Sequence, residues 1–424
     1  MSETDNQQRV ADLEKVLAIS RSMAATDNLD ALLQLVIDCS MDLLGAERAT
    51  IFLYDSTTDE LVSKVAAGGE EIRISADTGI AGAAARGGKV VNVAAADADP
   101  RWNPEVDRKT GFKTRNILSV PLWGHRGRLV GVLQVLNKHR GAFGEYDVTM
   151  SETFAAQAGV AIQRANLIEH YLEKLEMERA MEIARDIQQG LLPTGRPDIE
   201  GFDVAGFSKP ADETGGDTYD FMLLPSGRWM FAIADATGHG IGPAIVIAET
   251  RAMLRAMFLQ AGQGADESGI PSILETCNDL LVKDLDGARF VTCFLGVLDV
   301  RRQCLTFASA GHGPMIFYNR DADAFETMAA TAVPLGVLPD TDYSGMIERH
   351  MACGDLMAVV TDGFLEATND RGEEFGVDRA CRLFRERRDC SPKEMITALN
   401  QAVMDFTKAK PQADDLTAVI IRKE

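Results

Sequence analysis

The sequence predicts an α+β chain of more than one domain, on three observations. Its apolar periodicity changes along the chain, from helical spacing over 10–44 to short β-like runs over 49–137, back to helix over about 147–192, and then to alternating strands and helices from 200 onward. Its 424 residues exceed what one core holds, since domains average about 150 residues. Its 46% hydrophobic and 25% charged residues are those of a globular chain with material for real cores.

The elements follow in order. Val10, Leu13, Val16 and Leu17, then Leu32, Leu33, Val36, Ile37 and Leu44, recur at three- and four-residue steps, with Asp27 and Asn28 as a break and a helix cap between them. The runs ATIFLYD, ELVSKVAA, KVVNVA, ILSVPLWG and LVGVLQVLNK, separated by glycine-containing turns, predict an antiparallel sheet ending near Asn137. In the helix that follows, Ala161, Ala165, Ile168, Leu172 and Leu175 take the steps of a coiled-coil seam, and Met177, Ala180, Ala184, Ile187 and Leu191 continue them in a different frame. Pro193, Gly195 and Pro197 stop the helix. Beyond it, WMFAIAD, FVTCFLGVLDV, CLTFASA, LMAVVTDG and LTAVIIR read as strands, and 242–260, 271–285, 376–388 and 392–408 as amphipathic helices of one mixed α/β domain.

Composition narrows the partners. Sixty-four acidic against 43 basic residues give a formal charge of −21, an unfavourable field for a phosphate backbone, so no nucleic-acid partner is expected. Seven cysteines without a Cys-x-x-Cys pair argue against a disulfide framework and a thiolate zinc site. With neither a basic-then-apolar leader nor 18 uninterrupted apolar residues, the expectation is a cytoplasmic protein without a membrane partner.

Four aspartate-bearing loops stand at ends of the predicted strands: Asp217 after two glycines, Asp235 in ADATGHG, Asp362 in VVTDG, and Asp414 with Asp415 in ADDLT. Converging carboxylates on separate loops suit Mg²⁺ or Mn²⁺, which prefer hard oxygen ligands, and the glycines allow close backbone approach. One Asp beside Gly is ordinarily a turn; four, each past an apolar strand, point to a metal site. The GGD triplet is followed by Thr218-Tyr219-Asp220-Phe221 instead of Glu-Phe, which sets aside a diguanylate cyclase.

The ordered motifs GGDTYDF, ADATGHG, FVTCFLGVLD, SAGHGPM, VPLGV, VVTDGFLEAT and DDLTAVIIR, with ARDIQQGLLP at 184–193 as lead-in, resemble the SpoIIE/RsbU-type branch of the metal-dependent protein phosphatases (PPM, type 2C). The resemblance implies an αββα sandwich that hydrolyses phosphoserine and phosphothreonine with two Mn²⁺ or Mg²⁺ ions. It assigns Asp217 and Asp235 to catalysis, and Asp217, Asp235, the Ala236 carbonyl, Asp362 and Asp414 to the metals. ADAT stands where many relatives have Asp-Val-Ser. For substrate it implies a phosphorylated anti-sigma-factor antagonist of the STAS type in a partner-switching pathway. The alternatives are another phosphoprotein, such as a response regulator, or a catalytically weak nucleotide-sensing scaffold. His239 and His312 are candidates for an acid or substrate-binding role.

The segment from IRISADTGIAG to ILSVPL, with GVLQVLNKHRGAFGEYD after it, resembles a GAF domain of the cyclic-nucleotide-binding kind. Asn137, Lys138, Phe143 and Asp147 match its Asn-Lys…Phe…Asp-Glu signature, with Val148 in the last position. The resemblance implies cAMP or cGMP as regulatory ligand: Ile80 and Ala81 on the phosphate, Asp107, Thr110 and Thr114 over the ligand, Thr50 on the floor, and Gln134 facing the base. Trp102 and Trp123 are expected to be packing residues. The expected division is an N-terminal helix (1–27), a GAF sensor (28–165), a helical coiled-coil linker (166–195) that pairs two copies, and the phosphatase domain (196–424).

Overall fold

A computed structural model describes residues 3–63, 72–260, 269–285, 287–408 and 410–424. The chain divides into two compact units, Met1–Met177 and Glu178–Glu424.

In the first unit, α1 (Glu3–Ala24) and α2 (Leu29–Leu44) precede β1 (Ala46–Asp55), β2 (Glu60–Ser63), β3 (Ile72–Ser75), α3 (Gly79–Gly87), β4 (Val91–Val93), α4 (Pro104–Thr110), β5 (Ile117–Trp123) and β6 (Leu129–Lys138). The predicted cap holds, since Asn28 accepts a hydrogen bond from the Ala31 amide at the start of α2. The strands form one antiparallel sheet in the order β3-β2-β1-β6-β5-β4. Part of the predicted run ELVSKVAA falls in β2, and the rest lies outside the described residues.

Alternation along the strands sets the two faces of this sheet. Ala49, Ile51, Leu133 and Val135 pack against α2 and the helix after β6, whereas Phe52 and Val132 pack with α3 on the other side. That helix, α5 (Glu145–Leu191), is continuous for 47 residues. Its first turns are core: Phe154, Ala155, Ala158, Ile162 and Ala165 are buried, and Ala161 packs beside them. The seam assigned to Ala161 and Ala165 is thereby corrected, because there the small side chains let the helix lie close on its own sheet. From Leu167 on, Leu167, Leu172, Met177, Ile183 and Ile187 are exposed, and Ile168, Leu175, Met181 and Leu191 are half-buried.

In the second unit β7 (Phe202–Lys209), β8 (Asp217–Leu223), β9 (Trp229–Ala236), α6 (Ile241–Gln260), α7 (Ile270–Asp284), β10 (Val291–Asp299), β11 (Cys304–Ala310), β12 (Met315–Asn319), β13 (Ala324–Met328), β14 (Ile347–His350), β15 (Leu356–Val360), α8 (Asp362–Leu365), α9 (Gly376–Glu386), α10 (Pro392–Thr407) and β16 (Leu416–Lys423) follow. They make two five-stranded antiparallel sheets, β14-β11-β10-β9-β8 and β13-β12-β15-β16-β7. Phe231, Ile233, Phe294, Phe307, Val359 and Ile421 fill the space between them. Leu254, Phe258 and Leu274 bury α6 and α7 on one outer face, and Ile396, Leu399 and Phe384 bury α10 and α9 on the other. This four-layer αββα sandwich is the predicted fold.

A carboxylate cluster in the sandwich and a cavity in the first unit

The four aspartate loops meet at one end of the sandwich because of register. Asp217 opens β8 and pairs directly with Asp235 at the end of β9. In the facing sheet, β15 and β16 pair antiparallel up to Val360 and Ala418, which places Asp362, just after β15, near Asp414 and Asp415, just before β16. Thr361 ties the sheets together: its Oγ1 accepts from the Thr417 amide at 2.9 Å, leaving its proton for Asp217 Oδ2, also at 2.9 Å.

The electrostatics are those of crowded like charges. Burial holds the Asp217 carboxyl well above its usual range, and Asp235 and Asp415 add to the effect. Asp235 is pushed up to about 7 by burial and then by Asp362 and Asp414. A divalent cation relieves this repulsion, and oxygen-only donors suit a hard ion. The backbone leaves room for close approach: a Cβ on Gly216 would stand 2.5 Å from the Ala236 carbonyl oxygen. The residues present therefore fit the Mn²⁺ or Mg²⁺ that the fold implies.

Neighbouring polar residues make further contacts. Both Asp415 oxygens accept backbone amides, Ala211 at 2.7 Å and Gly216 at 2.5 Å, which distinguishes it from the exposed Asp414. Asp220 is buried against Arg251 and Arg255 of α6. His312 is buried and pushed down to about 4, so it is neutral at pH 7, with Thr292 Oγ1 3.0 Å from its Nδ1; Thr292 is the cross-strand neighbour of Asp235. His239 is exposed, its Nδ1 2.5 Å from Asp212. Beside Asp414 and Gly363 a cleft of about 960 Å³ opens, with Lys209, Lys410 and Met404 on its walls. Thr361 and Gln188 were passed over in the sequence, although both lie inside quoted motifs, VVTDG and ARDIQQGLLP.

In the first unit a cavity of about 320 Å³ lies against the face of the sheet that carries Gln134. Ile80, Ala81, Asp107, Thr114 and Gln134 line it. Thr50 is the cross-strand neighbour of Gln134 but is not among the lining residues, and the Thr110 side chain lies outside the described residues. Asp107 accepts both the amide and the hydroxyl of Thr114, at 2.7 and 2.6 Å, and so closes the 108–113 segment. Gln134 Nε2 donates to Ser119 at 3.1 Å. Arg101, Trp102 and Asn103 also line the wall, so Trp102 is a cavity residue as well as a packing one.

The Asn-Lys…Phe…Asp signature has another task. Asn137, at φ 59°, donates to the Lys113 carbonyl and accepts from the Arg115 amide, Lys138 pairs with Asp147, and Phe143 is core. None of the four lines the cavity.

Known proteins agree with both halves. The family model for Stage II sporulation protein E (SpoIIE) matches residues 225–424, and that for the GAF domain matches 28–162. The phosphoserine phosphatase RsbU of Bacillus subtilis (strain 168) is 29% identical over 268 residues, 63% of this chain and 76% of RsbU. The probable 3',5'-cyclic phosphodiesterase pde-5 of Caenorhabditis elegans is 34% identical over 154 residues, 33% of this chain but only 21% of that protein. Among solved structures, the SiaA-PP2C domain of Pseudomonas aeruginosa superposes with a TM-score of 0.50 at 23% identity, over 59% of this chain and 99% of that one, a likeness of fold. Residues 225–424 thus carry a SpoIIE-type phosphatase domain and residues 28–162 a GAF domain. The chain is a protein serine/threonine phosphatase with a SpoIIE-type phosphatase domain. No helix among the described residues is long and apolar enough to cross a membrane.

Proposed function

We propose that this chain is a cytoplasmic, metal-dependent phosphoserine/phosphothreonine phosphatase whose GAF domain binds a cyclic nucleotide. The observation that carries the catalytic half is the mutual crowding of Asp217, Asp235, Asp362 and Asp414, which bound cations relieve without protonating the carboxylates. Asp217, Asp235, Asp362, Asp414 and the Ala236 carbonyl would hold two Mn²⁺ or Mg²⁺ ions. Such ions supply an activated water and neutralise phosphate charge for in-line attack at phosphorus. Thr361 fixes the Asp217 carboxylate, and Asp415 holds the backbone around it. The cleft with Lys209 and Lys410 gives a phosphoprotein its approach. Identity with the phosphoserine phosphatase RsbU supports a phosphoserine substrate, for which we take a STAS-type anti-sigma-factor antagonist in a partner-switching pathway. Phosphate release from a phosphorylated STAS protein, measured beside a phosphorylated response regulator, tests this choice; preference for the latter contradicts it.

The sensor reading rests on the cavity, whose volume and mixture of apolar wall with Arg101, Asp107, Thr114 and Gln134 suit a nucleotide. Thr114→Ala is expected to weaken cAMP or cGMP binding about five- to tenfold in calorimetry, because it removes one hydroxyl and with it one of the two bonds to Asp107, at about 1 kcal/mol per hydrogen bond. Absence of binding by the unmutated protein ends this reading.

The exposed Leu172, Met177 and Ile187 of α5 favour pairing of two copies through this helix in the 166–195 linker. Leu172→Glu with Ile187→Glu is then expected to turn a dimer into a monomer in sedimentation at micromolar concentration. An unmutated monomer contradicts it.

A further inference from the structure

The edge of the β14-β11-β10-β9-β8 sheet brings together three metal-ligating side chains that the phosphatase site does not use. Cys304 opens β11 and is the cross-strand neighbour of His350, the last residue of β14. Glu348 precedes His350 by two residues, so alternation puts it on the same face of the strand. One ligand atom from each of Cys304, Glu348 and His350 lies within 4.8 Å of the other two, and His350 Nε2 is 3.5 Å from Glu348 Oε1.

A thiol, an imidazole and a carboxylate are all zinc ligands, and around a tetrahedral ion their atoms stand about 3.5 Å apart. Rotation of two side chains closes the remaining distance, because Glu348 and His350 are exposed on an edge strand while Cys304 is buried and fixed by the ladder. Asp299, the neighbour of Cys304 on its other side, is engaged by Arg228 at 2.9 Å and by the Arg301 and Arg302 amides at 3.0 Å, which leaves the thiol to β14. Arg302 donates to Glu348 Oε1 at 2.9 Å, so an ion has to take over that oxygen while the exposed guanidinium turns into water. Lack of a Cys-x-x-Cys pair argues against a thiolate site built on one turn and is silent on one built across two strands. The aspartate cluster is elsewhere: Asp235 pairs with Thr292, at the opposite end of β10 from Asp299, about 24 Å along the strand.

We propose that Cys304, Glu348 and His350 form a zinc site, with water as fourth ligand, that staples β14 to β11. The donor set selects the ion, since Zn²⁺ accepts thiolate and imidazole whereas Mg²⁺ and Mn²⁺ prefer oxygen and stay with the aspartates. β14 has four residues and a single neighbouring strand, so a metal bridge across the ladder holds this edge and the connection that reaches it from β13 in the facing sheet.

Co²⁺ tests the site in the full chain, because it takes the place of zinc and reports a sulfur ligand by a near-ultraviolet thiolate-to-cobalt charge-transfer band. The oxygen-only aspartate cluster cannot produce that band. In excess Mn²⁺ the unmutated chain is expected to show it on addition of Co²⁺ and to lose it on addition of Zn²⁺. Cys304→Ser is expected to abolish the band. His350→Gln is expected to weaken Zn²⁺ binding, measured against a chromophoric chelator, on the order of 100-fold or more, since loss of even an outer-shell partner costs about 10–100-fold. The His350 side chain is 72% exposed, so this variant keeps the fold and decides the matter if Cys304→Ser does not fold. Cys353→Ser, which removes an exposed thiol three residues beyond His350, is the control and is expected to change neither readout. No band in the unmutated chain, a band that survives in Cys304→Ser or vanishes in Cys353→Ser, or unchanged Zn²⁺ affinity in His350→Gln would overturn the proposal.

Discussion

Asp235→Asn is expected to lower phosphate release on the order of 10³-fold or more, the scale on which enzymes lose rate when a central electrostatic group is removed. The carboxylate stands directly opposite Asp217 and feels both Asp362 and Asp414, so no other residue can take its place. The same substitution is expected to stabilise the metal-free protein at high pH. A carboxyl whose folded pKa lies above its unfolded value holds its proton in the fold. The stability it contributes is therefore present below the unfolded pKa and is lost as pH rises through the folded one. For Asp235, pushed up to about 7 from 3.8, that window runs from about pH 4 to pH 7. Asparagine does not ionise. In excess chelator the gap between the variant and the unmutated chain should be smallest near pH 3, below the window, and widen by about 2–4 kcal/mol in the variant's favour at pH 8, measured by urea unfolding. Saturating Mn²⁺ should reverse the order at pH 8, because only the unmutated site gains from the ions. Near-normal turnover in the folded variant contradicts the assignment.

Gly216→Ala should be nearly as damaging for a steric reason. Its Cβ would meet the Ala236 carbonyl at 2.5 Å, the Gly238 carbonyl at 3.0 Å and the Pro243 Cβ at 3.2 Å. Two of these are backbone atoms, of the last residue of β9 and of the loop after it, which cannot swing aside as a side chain can. The loop must move away from β8, and the Ala236 carbonyl, a proposed metal ligand, moves with it. We expect a loss of about 1–3 kcal/mol in stability, typical of overpacking, together with a loss of activity on the order of 100-fold. Gly227→Ala, whose Cβ meets nothing within 4 Å, is the control for substitution of glycine itself, and at φ 81° it should cost stability without touching activity. Equal activity in Gly216→Ala and the unmutated chain would show that the Gly216–Ala236 contact is dispensable.

Legibility in the sequence followed burial and period. Strands β9, β10, β11, β15 and β16 and helices α6, α7, α9 and α10 were all visible, because the strands are nearly continuous apolar runs and the helices bury an apolar stripe. The strands that escaped notice, β7, β8, β12, β13 and β14, are short or interrupted by polar residues. Several of those residues have partners that only tertiary structure supplies, such as Asp220 with Arg255 and Tyr318 with Asp323. The aspartate loops could be read because four of them recur at the ends of apolar strands, more than turn chemistry alone calls for, but Thr361 and Gln188 could not. A threonine or a glutamine carries no chemical mark until a carboxylate or a peptide stands within 3 Å of it. Ala161 and Ala165 show the converse: helical spacing marks a buried stripe without saying what buries it, and here it is the chain's own sheet. Trp102 and the Asn137–Asp147 signature exchanged roles for a related reason, since a residue type does not declare whether it faces a cavity or braces the wall behind it.

The most direct test of the account is phosphate release from a phosphoserine protein by the full chain in excess chelator, followed by re-addition of Mn²⁺ with the bound metal counted. The account predicts no release with chelator, recovery on re-addition, and two ions per chain at full activity. Undiminished release in chelator, or full activity with no ion bound, would contradict it.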